Sequence, residues 1–362
     1  MSRLPRGARQ WSAAVIIAEE SASSCQNPVL FYDPATELLT LLHTAQQAGK
    51  GQGTSSVRML TAAYGPELHW SRPLPLAFGP GAFIRNHLLR GETERWLLPM
   101  YYTPNGTRDK AEQYASVART NDGSQWSEVQ LSKPGSGLVQ PSIVRISSGP
   151  AGGTGAGKTP LVAFFRDRDR RAVSRAFSYD DGRSWTEPEA TQLPNNNKAI
   201  QAHFSNSTGS LLIVFNNAKG PKIRGEDLKN WPISIAISKD AGVTWPYVRD
   251  LEPDFDPMLE YSYPSIQQGE NGELHISYTW SSKDKRRVCI RYIRITEDWI
   301  ERSWPKGSTQ GEFKGDGVRW GNVKQRFNRI IDQAMKIMND TKGQAMIDNA
   351  FVYHGKISSA RG

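Results

Sequence analysis

The sequence lacks the features that mark disulfide-rich, metal-binding and membrane-spanning proteins. Only two of its 362 residues are cysteines, Cys25 and Cys289, and they cannot form a disulfide framework and match no metal-ligand spacing. No apolar run approaches the roughly 20 residues that a membrane-spanning helix needs. The basic stretch from Met1 to Arg9 is followed by no apolar segment of a secretory signal. We therefore expect no cofactor, no metal, no transmembrane segment and a cytoplasmic location by default, with secretion left open if the natural N-terminus is missing.

The charge excess is dispersed along the chain. The formal net charge is +9, yet the 45 Lys and Arg residues form no long basic block in the first three hundred positions. This pattern is more typical of an anionic substrate or of general solubility than of a nucleic-acid surface, so we expect no nucleic-acid partner. The hydrophobic fraction of 38% suits a radial array of small sheets better than a thick layered core. The oligomeric state is not predictable from these data.

One turn signature recurs along the chain. The segments Ser178–Trp185 and Ser238–Trp245 both read S-x-D-x-G-x-x-W, and Thr120–Trp126 is the same turn with one residue deleted. Degenerate copies end at Trp70 and Trp11. The five tryptophans follow one another at spacings of 59, 56, 59 and 60 residues, which indicates a structural repeat.

The residues of this turn suit a tight hairpin. The hydroxyl and the Asp carboxylate can accept hydrogen bonds from backbone N–H groups, Gly takes the positive φ, and Trp packs between adjacent sheets. The turn resembles the Asp-box, or BNR repeat, of the sialidase (neuraminidase)-like β-propeller family. This resemblance implies an all-β propeller of the six-bladed sialidase type, with one four-stranded blade per repeat. It also implies that the box is structural and lies on the face opposite the active site.

The repeat count predicts about five blades and a partial one. Four blades lie between Trp11 and Trp245, and a fifth runs from Glu260 to Arg294 without a recognisable box. Trp11 would close a blade whose first three strands are absent, so the chain resembles a family member shortened at its N-terminus. We expect a propeller domain over residues 1–300.

Residues 301–362 differ in composition and are predicted to form a polar linker and a helical appendage. Apolar residues at helical spacing alternate there with Lys and Arg from Val323 to Met338. Two interpretations stay open: a surface helix packed on the propeller, and a basic amphipathic helix that binds a partner or membrane. The segment Asn349–Ile357 could add a strand to the incomplete blade.

Each repeat also contains two apolar runs with polar residues at their ends. The first runs begin near Gln26, Arg85, Gln140, Lys198 and Tyr263, and the second begin at Leu38, Trp96, Leu161, Leu211 and Leu274. In a propeller the first strand lines the central channel and starts on the face where the second strand ends. Polar residues at both places therefore converge on one funnel, which gives the candidate site.

Three arginines are candidate ligands for an acidic group. Arg166 and Arg168 end a second strand, whereas Arg85 begins a first strand together with Asn86. A guanidinium can hold a carboxylate with two parallel hydrogen bonds. We predict that these four residues bind substrate. The alternative for Arg166 and Arg168 is a solvated run of arginines and aspartates that neutralise each other.

Weaker candidates share the same geometry. His87 could transfer a proton near neutral pH, or it could simply fill the channel. Tyr101 and Tyr102 end a second strand, and alternation places only one of them in the funnel; Tyr102 is predicted as a binding residue. Position also suggests Asn196, Gln26 and Asn27, although an Asn triplet such as 195–197 is often only a turn.

The segment Glu260-Tyr-Ser-Tyr263-Pro carries the predicted catalytic pair. The family resemblance implies a Tyr nucleophile at the start of an inner strand, activated by a nearby carboxylate, and Tyr263 with Glu260 matches that place. A neutral phenol avoids repulsion by an anionic sugar, but its pKa near 10 requires a base. Tyr263 could alternatively be a channel-lining aromatic. The family's Phe-Arg-Ile-Pro motif has no counterpart, because the corresponding strand reads Gln26-Asn27-Pro28.

The sequence therefore predicts a sialidase-like enzyme that hydrolyses a glycoside of an acidic, carboxylate-bearing sugar. Two alternatives remain. The same propeller could be a uronate-specific polysaccharide lyase, because β-elimination needs a group that neutralises the carboxylate and a Tyr or His base. It could also be a catalytically inactive glycan-binding module.

Overall fold

The computed structural model describes residues 1–5, 8, 10–105, 110–147, 159–218, 232–252, 259–282 and 289–302. Within these ranges twenty strands form five antiparallel sheets, and one short helix follows the last strand. No helix in this part of the chain is long and apolar enough to cross a membrane. The helix predicted from Val323 and the strand predicted over Asn349–Ile357 lie outside the described residues.

The five sheets are the blades of a β-propeller, and in each blade strands that follow one another in sequence lie side by side. Blade 1 contains β1 (Ser23–Asp33), β2 (Leu38–Gln47), β3 (Ser56–Ala63) and β4 (Leu74–Pro75), with a 3₁₀ turn at Gln52–Thr54. Blade 2 contains β5 (Ala82–Ile84), β6 (Leu89–Arg90), β7 (Trp96–Tyr102), β8 (Tyr114–Thr120) and β9 (Ser127–Gln130).

The remaining blades follow the same order. Blade 3 contains β10 (Leu138–Arg145), β11 (Leu161–Asp167), β12 (Ala172–Ser178) and β13 (Glu189–Pro194). Blade 4 contains β14 (Gln201–Ser205), β15 (Ser210–Asn216), β16 (Ile233–Ser238) and β17 (Tyr247–Asp250). Blade 5 contains β18 (Leu259–Gln268), β19 (Leu274–Ser282) and β20 (Cys289–Ile295), and is followed by α1 (Glu297–Glu301).

The core consists of the faces that neighbouring blades turn to each other. Every residue of β7 and of β15 is buried, because these second strands of blades 2 and 4 are covered on both sides. Leu98 of blade 2 belongs to one cluster with Leu42 of blade 1, and Leu97 belongs to another with Leu161 of blade 3. The five predicted second runs all lie in observed second strands, so the apolar pattern predicted the blade order correctly.

The Asp-boxes close the outer hairpins of three blades. Asp122 accepts hydrogen bonds from the backbone N–H groups of Ser124 at 2.7 Å and Gln125 at 2.8 Å, and these bonds hold the pKa of its carboxyl far below the usual range. Asp180 and Asp240 make the corresponding bonds in blades 3 and 4. The carboxylates of these boxes are therefore already hydrogen-bonded within their own turns.

The box glycine of blade 2 gives a stability test. Gly123 has φ +80°, and a Cβ there would lie 2.9 Å from the Trp96 ring, whereas Gly49 has φ +72° and open space around it. Alanine at either position should cost about 1 kcal/mol for the left-handed backbone. Gly123→Ala should cost at least about 1 kcal/mol more through overpacking. Urea unfolding of both variants measures the difference, and equal costs would show that Trp96 moves aside freely.

The N-terminal segment connects the two ends of the row of blades. Trp11 packs edge-on against Tyr292 of β20, with ring centroids 5.4 Å apart. Arg3 donates to the carbonyl oxygens of Pro66 at 2.7 Å and Gly65 at 3.2 Å, between β3 and β4. A cavity of about 1040 Å³ lies between the segment and blades 1 and 5. The predicted partial blade has no strand in this part of the described chain, so it is not confirmed.

Candidate functional site

The first strands of blades 1, 2, 3 and 5 are irregular near the funnel. Strands β1, β10 and β18 each contain a register shift, and the first strand of blade 2 is interrupted between β5 and β6. The shifts fall between Gln26 and Val29, between Val139 and Ser142, and between Ser262 and Ser265. A bulge changes which side chain faces the channel, so these irregularities determine what lines the funnel.

Four non-glycine residues that lie in or shortly before first strands have left-handed backbone. They are Asn27 (φ 51°), Gln140 (φ 51°), Asn197 (φ 63°) and Tyr263 (φ 53°). Such conformations cost roughly 1 kcal/mol or more and concentrate at functional sites. Asn27, Gln140 and Tyr263 each precede a proline, which disfavours the right-handed helical conformation for the residue before it. The strain thus recurs at the first-strand level of blades 1, 3, 4 and 5.

Three arginines, which we term the arginine cluster, approach one another at this level: Arg85, Arg166 and Arg168. Arg85 lies in the interruption between β5 and β6, Arg166 lies near the end of β11, and Arg168 follows that strand. Burial, together with repulsion from Arg166, lowers the pKa of Arg85 to about 10 and that of Arg168 to about 10. Because a guanidinium is not deprotonated in proteins, all three carry a positive charge.

The guanidinium groups of the cluster contact neutral acceptors. Arg85 donates from Nη2 to the Pro264 carbonyl oxygen at 2.8 Å and from Nη1 to Asn86 Oδ1 at 2.7 Å. Arg166 donates from Nε to Asn197 Oδ1 at 2.9 Å. The Nε atoms of Arg85 and Arg168 are buried and have no hydrogen-bond partner among the described residues.

No carboxylate of the described chain forms an ion pair with any member of the cluster. Burying a charge without a counter-charge is unfavourable, and burying three close together adds repulsion. The cluster can lower its free energy by binding an anion, and guanidinium geometry matches carboxylate, sulfate and phosphate oxygens.

Two tyrosines adjoin the arginine cluster. Tyr263 is 36% exposed, its ring lies 5.6 Å below the Arg85 guanidinium, and its hydroxyl is hydrogen-bonded to Arg166. Tyr101 is buried and stacks on Phe83 with ring centroids 5.2 Å apart. Burial raises the pKa of the Tyr101 hydroxyl. Tyr101 is therefore neutral at neutral pH.

Tyr102 lies on the opposite face of β7. Its hydroxyl donates to Glu128 Oε1 at 2.7 Å, and its ring stacks on Tyr114 in the core between blades 1 and 2. Tyr101, not Tyr102, is thus the member of this pair beside the arginines. Glu260 is half-buried opposite Ser281, and its charge is not among those that perturb the cluster.

His87 and Asn86 connect the blades across the channel. The His87 Nε2 lies 3.2 Å from the Ile266 carbonyl oxygen of blade 5, and burial lowers the pKa of this histidine, so it is neutral at pH 7. Asn86 is 1% exposed and donates from Nδ2 to the carbonyl oxygens of Gln140 and Pro141 in blade 3. The structure places both side chains as cross-blade contacts within the channel.

The other predicted residues lie around the rim. Asn196 is buried. Its neighbour Asn195 accepts a hydrogen bond from the Asp167 backbone N–H at 3.1 Å, and its neighbour Asn197 contacts Arg166. Gln26 contacts Gln46 within blade 1 at 3.2 Å, and its neighbour Asn27 has the left-handed backbone described above.

Sequence reasoning did not select Tyr101, Gln140 or Asn197 as site residues. Gln140 accepts from Arg166 Nη1 at 3.1 Å and donates to the Tyr101 hydroxyl at 3.2 Å. The signal that could have found it is the recurrent X-Pro dipeptide, present at Asn27, Gln140 and Tyr263. Asn197 had no comparable signal beyond its place in the Asn triplet.

Comparison with known proteins gives a family and a fold. A family model described as a BNR repeat-like domain matches residues 1–276. No curated protein matches the sequence. The fold is similar to that of Trypanosoma rangeli sialidase, with a TM-score of 0.59 at 12% identity, over 80% of this chain and 48% of that one. The structure of NanB plus Optactamide is similar with a TM-score of 0.55 at 10% identity, over 78% and 57%.

The same sialidase in complex with sialic acid has a TM-score of 0.55 at 12% identity, over 80% of this chain and 47% of that one. The chain thus spans about half the length of these structures. At such identities the likeness establishes a sialidase-type β-propeller fold.

Proposed function

The chain belongs to the family of BNR repeat-like domains, and from this premise we propose that it processes glycans and that its funnel binds an acidic, carboxylate-bearing sugar. The observation that carries this proposal is the arginine cluster, whose three charges have only neutral partners among the described residues. A carboxylate would supply acceptors for the buried Nε atoms and would offset the mutual repulsion.

Hydrolysis of a glycoside is the first candidate reaction. Arg166 and Arg85 would hold the sugar carboxylate, and the Tyr263 oxygen would attack the anomeric carbon. The bond to the leaving oxygen would break with its electron pair on that oxygen, which takes up a proton, and water would then cleave the glycosyl–tyrosine bond. Arg166 and Arg85 contact Tyr263, and Glu260 is the carboxylate predicted to take its hydroxyl proton.

Elimination from a uronate is the second candidate. It is favoured by one observation: Tyr263 contacts the cluster and Tyr101 is joined to it through Gln140, whereas no carboxylate of the described chain contacts it. A lyase needs the substrate carboxylate neutralised, a base that removes the proton on the adjacent carbon, and a proton for the leaving oxygen. The electrons of the broken C–H bond form a C=C bond, so no further reactant is required.

Product analysis separates the candidates. The protein is incubated with sialosides, with uronate-containing polysaccharides and with a neutral polysaccharide as control. Release of the free acidic sugar supports hydrolysis, and ultraviolet absorbance of an unsaturated uronate supports elimination. Binding of an acidic glycan without either product supports a binding module, and equal behaviour towards acidic and neutral glycans contradicts the proposal.

A further inference from the structure

We propose that Tyr101 is a specificity-determining residue that donates its hydroxyl proton to the bound anion, and that Gln140 is the residue that positions this proton. The proposal rests on the proposed acidic-sugar site and adds a fourth donor to the three arginines. It follows from the hydrogen-bonding capacity of three neighbouring side chains.

The orientation of the Gln140 amide is fixed by Arg166. A guanidinium carries donors and no acceptor, so the amide atom 3.1 Å from Arg166 Nη1 must be the oxygen. The amide nitrogen then faces Tyr101 and donates to its hydroxyl oxygen at 3.2 Å. Ordinary ambiguity between amide O and N does not apply here, because Arg166 cannot accept a hydrogen bond.

The Tyr101 hydroxyl therefore acts as an acceptor towards Gln140, and its own proton has to point elsewhere. Arg166, Arg168 and Tyr263 act electrostatically on this hydroxyl, and the two arginines cannot accept its proton. In the described part of the chain, the hydrogen bond from Gln140 is the one that the hydroxyl makes. An anion held by the arginines provides the missing acceptor.

The hydrogen-bonded pair of Gln140 and Tyr101 is held in place at both of its residues. Asn86 donates to the Gln140 carbonyl oxygen at 3.2 Å and accepts from Arg85 at 2.7 Å, so the amide network joins two members of the arginine cluster. Tyr101 is 4% exposed and stacked on Phe83, which leaves little freedom for the ring. Donors fixed in advance in a poorly hydrated site bind anionic oxygen more strongly than mobile ones.

The ligand chemistry that fits is an anionic oxygen group with several lone pairs, either a carboxylate or a sulfate ester on a sugar. Three guanidiniums provide donors only, and the Tyr101 hydroxyl, whose oxygen already accepts from Gln140, offers its proton. A neutral sugar hydroxyl carries no negative charge, and its own proton would find no acceptor among these donors. A neutral sugar should therefore bind poorly.

Binding measurements test the proposal without requiring turnover. Glucuronate, glucose 6-sulfate and glucose are titrated into the wild type, Tyr101→Phe, Gln140→Glu and the double variant, by calorimetry or by NMR. Tyr101→Phe should weaken binding of the preferred anion about 10-fold, the typical effect of losing a hydrogen bond to a charged group. Gln140→Glu should weaken it more, because the new carboxylate pairs with Arg166 and also accepts the Tyr101 proton.

Tyr278→Phe is the matched control. Tyr278 is a buried tyrosine of blade 5 whose hydroxyl donates to Glu252 at 2.6 Å, and no member of the arginine cluster acts on it, so this variant should bind the anion like the wild type. The double variant should lose less than the product of the two single losses, because Gln140 acts partly through Tyr101. Thermal unfolding of each variant checks that it is folded.

The outcomes separate the two proposals. A wild type that binds neither anion overturns the acidic-sugar site itself, and the role of Tyr101 with it. A wild type that binds an anion while Tyr101→Phe binds it equally well overturns the role of Tyr101 alone, as do equal losses in Tyr101→Phe and Tyr278→Phe. Preference for glucuronate or for glucose 6-sulfate identifies the anionic group.

Discussion

Arg166→Ala is expected to weaken binding of an acidic sugar by at least about 100-fold, because it removes up to two charge-assisted hydrogen bonds and one of three charges. Turnover of any substrate found in the product assay should fall to background. Arg166→Lys keeps the charge but not the planar fork, so it should restore only part of the affinity. Glucuronate titration and product formation measure both effects.

Arg175→Ala is the matched control for this experiment. Arg175 lies in β12 of the same blade and pairs with Glu189 at 2.7 Å, so its loss should leave anion binding unchanged. If Arg166→Ala binds the acidic sugar as tightly as the wild type, the anion is held elsewhere and the site assignment is wrong. If Arg175→Ala loses as much, the effect is one of folding.

Asp181→Ala is expected to destabilise the protein by about 3 kcal/mol, the typical cost of removing one partner of a buried ion pair. Asp181 is fully buried and joins blade 3 to blade 2. It accepts from the backbone N–H groups of Glu92 at 2.8 Å and Thr93 at 2.7 Å and pairs with Arg145. Denaturant unfolding measures the loss.

The next Asp-box provides the control for Asp181. Ala241 occupies the corresponding box position of blade 4, with φ 57° against 61° for Asp181. Alanine is thus compatible with this backbone, and a large loss in Asp181→Ala reports the missing contacts instead of strain. A loss of less than about 1 kcal/mol would contradict the role of Asp181 as a link between blades.

Asp181 also predicts a pH dependence. The hydrogen bonds from Thr93 and the charge of Arg145 outweigh burial and lower its pKa to about 2, from about 3.9 in the unfolded chain. Its stabilising contribution is therefore complete above about pH 4 and disappears as the pH falls through about 2. The stability difference between the wild type and Asp181→Asn should shrink over this window.

The fold was predictable because the Asp-box and the apolar runs are local signals. The tryptophan spacing predicted the blades, and the run from Leu161 begins where β11 begins. The contacts of Asp181 were not predictable, because they reach residues 88 and 89 positions away from a variable place in the box. A local motif carries no information on such partners.

The candidate site was predictable only in part, for a related reason. The strand ends indicated the arginines. The choice between Tyr101 and Tyr102 depends on which face of β7 meets the channel, and the alternation of side chains does not by itself show which of two neighbouring residues lies on that face. Glu260 was paired with Tyr263 through sequence proximity. The register shift between Ser262 and Ser265 changes the alternation at that place, and the sequence pattern does not reveal such a bulge.

Some residues of the candidate site lie in central blades, and others lie in a blade at one end of the row. Each blade of such an array is stabilised mainly by its neighbours, so end blades open before central ones. The arginine cluster belongs to blades 2 and 3, whereas Tyr263 belongs to blade 5, whose outer strand β20 exposes 70% of Ile290. Partial fraying at that end would withdraw Tyr263 and the Pro264 carbonyl that Arg85 contacts, and leave Arg166 and Arg168 in place. Under mild denaturation we therefore expect the proposed anion binding to persist after any activity that depends on Tyr263 has been lost.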